Sequence, residues 1–256
     1  MKKLSFIFLA LLFVFSLFPL LITSYSFDRQ ISDSLLQSPS IKHWLGTDEL
    51  GRDMLARILF GARISLGCAL LSTLISGIVG VFYGSLAGFK GGWIDSMLMR
   101  FLDMLYSIPD LLFYILLGLF VGRSFWGMMI TLSALGWVTI ARLTRGEILK
   151  YKEMAYVEGA NALGMRSSRI LIKHILPQLK PTIKTALLLR IPSVILAEST
   201  LSFIGLGLKP PYSSWGTLAS EGYGALQFYP HLILIPSAFI CLTILSFQIL
   251  SRNSQE

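Results

Sequence analysis

The chain has 256 residues, 54% of them hydrophobic and 14% charged, and carries a formal charge of +8 at pH 7. A soluble domain has about 25% charged residues, so this chain has too few to cover a soluble surface, and the same composition excludes disorder and collagen-like repeats. A lipid bilayer is the solvent that fits.

Residues 4–22 form the first apolar run, preceded by Lys2 and Lys3. The run is long enough to cross a hydrocarbon core of about 30 Å. Its length, and the lack of a small-x-small cleavage site, favour a retained anchor over a signal peptide. A polar stretch follows from about residue 23 to 63. Within it, residues 43–63 interleave acidic and basic side chains with Gly46 and Gly51. Asp48, Arg52 and Asp53 are the candidates there for an external gate or docking surface, against a solvated interfacial segment.

Further spans are expected at residues 64–89, 97–121, 125–141, 182–204 and 229–250, giving about six. Residues 1–63 are then an anchor helix plus external segment, 64–250 a transmembrane domain, and 251–256 a short tail. With the N-terminus inside, the inner segments hold fourteen Lys and Arg against seven outside. The positive-inside bias therefore gives an N-in, C-in topology. In the second span Gly80, Gly84 and Gly88 lie four apart on one face, where a helix without Cβ atoms approaches a neighbour closely.

Four polar residues of the spans are candidates for a pathway or a structural role. A charge at the bilayer centre costs about 2.5–3.5 kcal/mol on insertion scales, so each should face protein or water. They are Asp103, expected to pair with Arg100 three residues away, and Asp110 in the third span, and Arg190 and Glu198 in the fifth; Pro109, which should bend the third helix, is a further candidate of the same kind. The external loop from 205 to 216 places Trp215 as an interfacial anchor. Cys68 and Cys241 sit in apolar runs and are read as packing residues. His43, His174 and His231 are dispersed, so no metal site is expected.

Most of the positive excess lies in residues 142–184, with nine Lys and Arg against three Glu. Inside a membrane protein this marks a cytoplasmic loop, not a nucleic-acid site. A polar connection of that length is more often functional than idle. Around residues 155–163 apolar and charged positions suggest a short amphipathic helix. Gly164 supplies a turn, Ser167 and Ser168 are the expected caps of a second helix, and Pro177 with Pro181 is expected to end it. Such a helix–turn–helix suits a groove on a partner protein or an anionic lipid surface.

Glu158-Gly159-Ala160, then Gly164 and the Leu176-Pro177 pair, resemble the EAA loop of bacterial ABC-importer permeases. Two further stretches narrow the resemblance to the dipeptide, oligopeptide and nickel permease family, second or C-type subunit. They are Leu45-Gly-Thr-Asp-Glu-Leu-Gly-Arg-Asp53 with Gly61-Ala-Arg-Ile-Ser-Leu66, and Leu196-Ala-Glu-Ser-Thr-Leu-Ser-Phe-Ile-Gly-Leu-Gly207 with Pro210-Pro211 and Ser214-Trp-Gly216.

The resemblance implies an all-α, polytopic permease of the type I importer fold in the bacterial inner membrane. It would pair with a homologous permease subunit, two cytoplasmic ATPase subunits and an external solute-binding protein, and import peptides or nickel. Glu158, Gly159, Ala160, Leu163, Gly164 and Pro177 would form the coupling segment. Gly159 replaces the usual Ala of the triplet, at a cost of up to about 1 kcal/mol in a helix interior.

No G-x-x-x-x-G-K-[ST] loop occurs, so no cofactor is assigned to this chain, and ATP with magnesium belongs to the ATPase partners. Neither an H-E-x-x-H pair nor a G-x-S-x-G elbow is present, and the chain is read as a transport subunit, not an enzyme. The alternative is a secondary transporter driven by an ion gradient.

Overall fold

The computed structural model describes residues 2–252 and is built almost entirely of helices. The first apolar run becomes α1 (Lys2–Leu17), which stops short of Pro19. At 1.5 Å per residue its 16 residues reach about 24 Å, less than the expected crossing. Arg63 closes its end by donating to the carbonyls of Ser16 and Leu17, both at 3.0 Å.

The second run opens ten residues earlier than its apolar stretch. In α2 (Met54–Lys90) the Asp53 side chain caps the first turn by accepting from the Ala56 amide at 2.8 Å. Gly91, at φ +67°, turns the chain at the other end. These 37 residues extend about 55 Å, well beyond a hydrocarbon core.

The expected third span is not one bent helix. It divides into α3 (Gly92–Tyr106) and α4 (Asp110–Val121), set at 85° to each other. Proline forces this break: it donates no N–H and disfavours helical geometry in the residue before it. The fourth run forms α5 (Phe125–Ser133) and, after a two-residue break, α6 (Gly136–Lys152). Next come α7 (Ala155–Ala162) and the single turn α8 (Ser167–Ile170).

From α8 the chain runs through a π-turn at Leu171–Ile175 directly into α9 (Leu176–Leu201). The expected stop at Pro177 is therefore absent. Proline is tolerated in the first turn of a helix, and the wider π-turn just before it, with Leu176 donating to the Leu171 carbonyl, absorbs the irregularity. Ser167 and Ser168 form no side-chain cap either, because the cap position falls on Arg166.

A second π-turn ends at Gly205, φ +89°. The loop after it contains a helix that periodicity did not reveal, α10 (Trp215–Tyr223), opened by a reciprocal Ser214–Thr217 capping box. The last run forms α11 (His231–Arg252). Ser251 belongs to this helix, and the rest of the expected tail, residues 253–256, lies outside the described residues.

Of the six expected spans, four are helices long and apolar enough to cross a membrane, and α3 with α4 makes a fifth if a bent pair counts as one. Helix α2 is the central post. Its glycine stripe lies against α6: a Cβ at Gly80 would sit 2.7 Å from the Ile140 Cβ, one at Gly84 2.3 Å from the Ala141 carbonyl oxygen, and one at Gly88 3.0 Å from that of Arg145. The partner of the stripe is thus internal. The main core joins α2, α5, α9, α10 and α11 around Ile58, Leu132, Ile195 and Trp215. Trp215 is fully buried and donates from Nε1 to the Ile58 carbonyl at 3.1 Å, so it is a core residue and not an interfacial anchor.

Candidate functional site

The polar residues sort into three levels along α2. At its N-terminal end, Asp48, Arg52, Asp53 and Arg57 are 6%, 6%, 3% and 1% exposed. Asp48 Oδ2 accepts from Arg52 Nε and Arg57 Nη1, both at 2.6 Å, and Oδ1 from the Leu50 and Arg52 amides at 2.9 Å. Arg57 also grips Glu221 of α10 at 2.5 and 3.2 Å. Asp53, besides capping α2, binds His43 Nδ1 at 2.8 Å.

Asp48, Arg52, Asp53 and Arg57 are therefore not solvated: they turn inward and clasp the 43–53 segment, α2 and α10 together, while Trp44, Glu49 and Leu50 stay exposed. Arg57 and Glu221 were missed in the sequence. The Asp48–Arg52 spacing hints at a local pair, but nothing local points to Glu221, 164 residues from Arg57.

At mid-height, Glu198 is fully buried and accepts from Ser65 of α2 at 2.9 Å and from Ser202 at 2.7 Å. Ser202 accepts in turn from Ser214, and the Trp215 amide donates to Ser65 at 3.3 Å. This network ties α2, α9 and α10 and assigns Glu198 a structural position. Arg190 donates to the Leu132 carbonyl at the end of α5, 3.0 Å away, and occupies the space over Gly136. Asp103 pairs with Arg142 of α6 at 2.6 Å, not with Arg100. The nearby Asp95–Arg145 bond, at 2.5 and 2.6 Å, is a second α3–α6 tie that the sequence did not disclose. Pro109 is exposed at the α3–α4 elbow.

At the far end of α2, α7 lies across the base of the bundle. Val157 and Ala160 are buried against Ile148, Ile170, Ile175 and Leu179, so Ala160 faces its own chain and not a partner. Glu158, Gly159 and Leu163 face outward, Leu163 at 86% exposure. Tyr156, Gly159 and Leu163 share one side of the helix, and a Cβ at Gly159 would meet nothing within 4 Å.

The helix ends as expected at Gly164, φ +75°. The Met165 amide donates to the Ala160 carbonyl at 3.1 Å and the Gly164 amide to Asn161 at 2.9 Å. This Schellman arrangement needs a left-handed residue at Gly164. Pro177 is exposed in the first turn of α9.

The family described as "Binding-protein-dependent transport system inner membrane component" matches residues 80–255. Among curated proteins, the chain is 36% identical over 250 residues to the oligopeptide transport system permease protein OppC of Bacillus subtilis, covering 98% of this chain and 82% of that one. It is 39% identical over 249 residues to the dipeptide transport system permease protein DppC of the same organism, covering 97% and 78%. To the glutathione transport system permease protein GsiD of Pectobacterium atrosepticum it is 36% identical over 224 residues, covering 88% and 74%. Among solved structures, an inward-facing MetNI methionine ABC transporter aligns with a TM-score of 0.61 at 15% identity, covering 78% of this chain and 97% of that chain. An amino acid ABC transporter aligns at 0.57 and 18%, covering 75% and 89%. At such identities the solved structures share the fold.

Proposed function

The chain belongs to the family of binding-protein-dependent transport system inner membrane components, and from that premise we propose that it is the peptide-conducting permease subunit of an ATP-binding-cassette importer. It is a multi-pass protein of the bacterial inner membrane. Peptide as cargo follows the relatives, named for oligopeptides, dipeptides and glutathione, the last itself a tripeptide. The reading as a gradient-driven carrier is set aside by family membership.

The observation that carries the mechanism is α7, with an exposed outer face and an inner face fused to the bundle. ATP hydrolysis is supplied by separate ATPase subunits, which hold the nucleotide and magnesium. They dock on the outer face around Glu158, Gly159 and Leu163. The N-in, C-in orientation puts this face in the cytoplasm, in line with the distribution of Lys and Arg. A push on α7 passes through Val157 and Ala160 to Ile148 of α6 and to Ile175 and Leu179 at the start of α9. The glycine-tight contact of α6 with α2 carries the motion to the central post. Packed helices move as bodies, so the bundle rocks against a homologous second permease subunit and switches access. The external binding protein delivers the peptide at the other end.

Reconstitution in proteoliposomes tests the proposal. Uptake of a labelled tripeptide should require ATP, the ATPase subunits and the binding protein together. Uptake by the isolated chain under an ion gradient alone would overturn it.

A further inference from the structure

Between α4, α5 and α9 lies a cavity of about 290 Å³, bounded by Asp110, Tyr114, Leu132, Arg190, Ser193 and Thr200. That is the lower edge of the range for small-molecule sites, about 300–1,000 Å³. Two opposite charges line it, and among the described residues neither forms an ion pair. Arg190 gives one bond to the Leu132 carbonyl, while its buried Nε has no hydrogen-bond partner. Asp110 opens α4 directly after the Pro109 break and stands exposed among Ile108, Leu111 and Leu112.

Each charge sits at the helix end that favours it, the acid at an N-terminus and the guanidinium at a C-terminus. Neither is neutralised by a counter-charge. The fold also makes room for Arg190. A Cβ on Gly136 would fall 1.6 Å from its Nη2, so only glycine lets the guanidinium lie there. An ionisable group within a membrane domain is costly unless it faces water or a partner, and a ligand carrying both signs would satisfy the two together.

We propose that this cavity is a station for the zwitterionic backbone of the transported peptide. Arg190 receives a carboxylate and Asp110 an ammonium, with Tyr114 beside Arg190 and the Ser193 and Thr200 hydroxyls lining the wall. This rests on the peptide-import reading. It adds that the permease engages the charged groups of its cargo during passage instead of offering a featureless duct. Because the binding protein captures peptide first, loss of the station slows passage and leaves external affinity unchanged.

The test is uptake of trialanine with free termini by the reconstituted complex, alongside ATP hydrolysis and thermal melting. Arg190→Gln and Asp110→Asn should each lower peptide moved per ATP about tenfold, the scale of one hydrogen-bonded charge contact. ATP turnover should stay near wild type in both, and melting near wild type in Asp110→Asn, while Arg190→Gln loses its bond to the Leu132 carbonyl and melts somewhat lower. Arg190→Lys and Asp110→Glu should restore most of the rate, and Gly136→Ala, which displaces the guanidinium without removing it, should lower uptake per ATP as Arg190→Gln does. Wild-type uptake per ATP in Arg190→Gln and Asp110→Asn, or equal loss in Arg190→Lys and Arg190→Gln, would overturn the station and leave the importer intact. A wild-type complex that moves no peptide would overturn the importer reading itself.

Discussion

Asp48 is the residue on which the external end depends most. Its carboxylate collects four hydrogen bonds, two from backbone amides and two from arginines, while only 6% of the residue reaches solvent. Removing one partner of a buried ion pair costs about 3–5 kcal/mol because the other charge stays buried. Asp48→Asn should therefore lower thermal stability by an amount of that order, with Glu221 taking up part of the loss through Arg52 and Arg57. Thermal unfolding in detergent reads this directly, and a near-native melting temperature would show that the clasp is dispensable. Asp48, Arg52 and Asp53 stand out from their spacing, which points to solvent or a partner. Their burial depends on α10 folding back over them, and α10 announces itself only through the Ser214–Thr217 cap.

Among the elements, the glycine stripe of α2 and the short helix ending at Gly164 were the most legible. Spacing alone placed Gly80, Gly84 and Gly88 on one face, and a Cβ at Gly84 would press to 2.3 Å from the Ala141 carbonyl. Gly84→Val should separate α2 from α6 and cost on the order of 1–3 kcal/mol by overpacking, seen as loss of folded yield and a lower melting temperature. Gly159→Ala should do the reverse. Its Cβ enters open space within a helix, so alanine should stabilise α7 by about 0.5–1 kcal/mol and slow amide exchange across Ala155–Ala162. Unchanged exchange there would mean that α7 is already held rigid by its buried face.

Gly164→Pro removes both the left-handed turn and the Gly164 amide bond to Asn161. Peptide import should fall at least tenfold while the chain still reaches the membrane, and normal import would contradict the role of the turn. Helix boundaries were less legible than helix faces. Residues 142–152 are polar enough to read as loop, yet α6 continues through them, and the second short helix, expected to stop at Pro177, runs on into α9, because the helix propensity of Arg, Lys, Glu and Leu does not stop where hydrophobicity does.

For the whole molecule, composition found the bilayer but not the number of crossings. Six apolar runs are helical, yet α1 is short and Pro109 divides the third, so hydropathy counted segments that the backbone shortens or breaks. Tertiary ties such as Arg57–Glu221, Asp95–Arg145 and Glu198–Ser65 connect positions far apart in the chain and have no local signature. They tie α2 to α10 and to α9, and α3 to α6.

The central claim is that the exposed face of α7 is where the ATPase subunit seats. The direct measurement is labelling of Leu163→Cys by a water-soluble maleimide, with Cys68 and Cys241 replaced by Ala and with Ile41→Cys, 95% exposed, as the reference site. In the isolated chain both cysteines should react fully. On assembly with the ATPase subunits, labelling at residue 163 should fall at least tenfold while residue 41 stays reactive. Equal labelling of residue 163 in the isolated chain and in the assembled, ATP-hydrolysing complex would contradict the account.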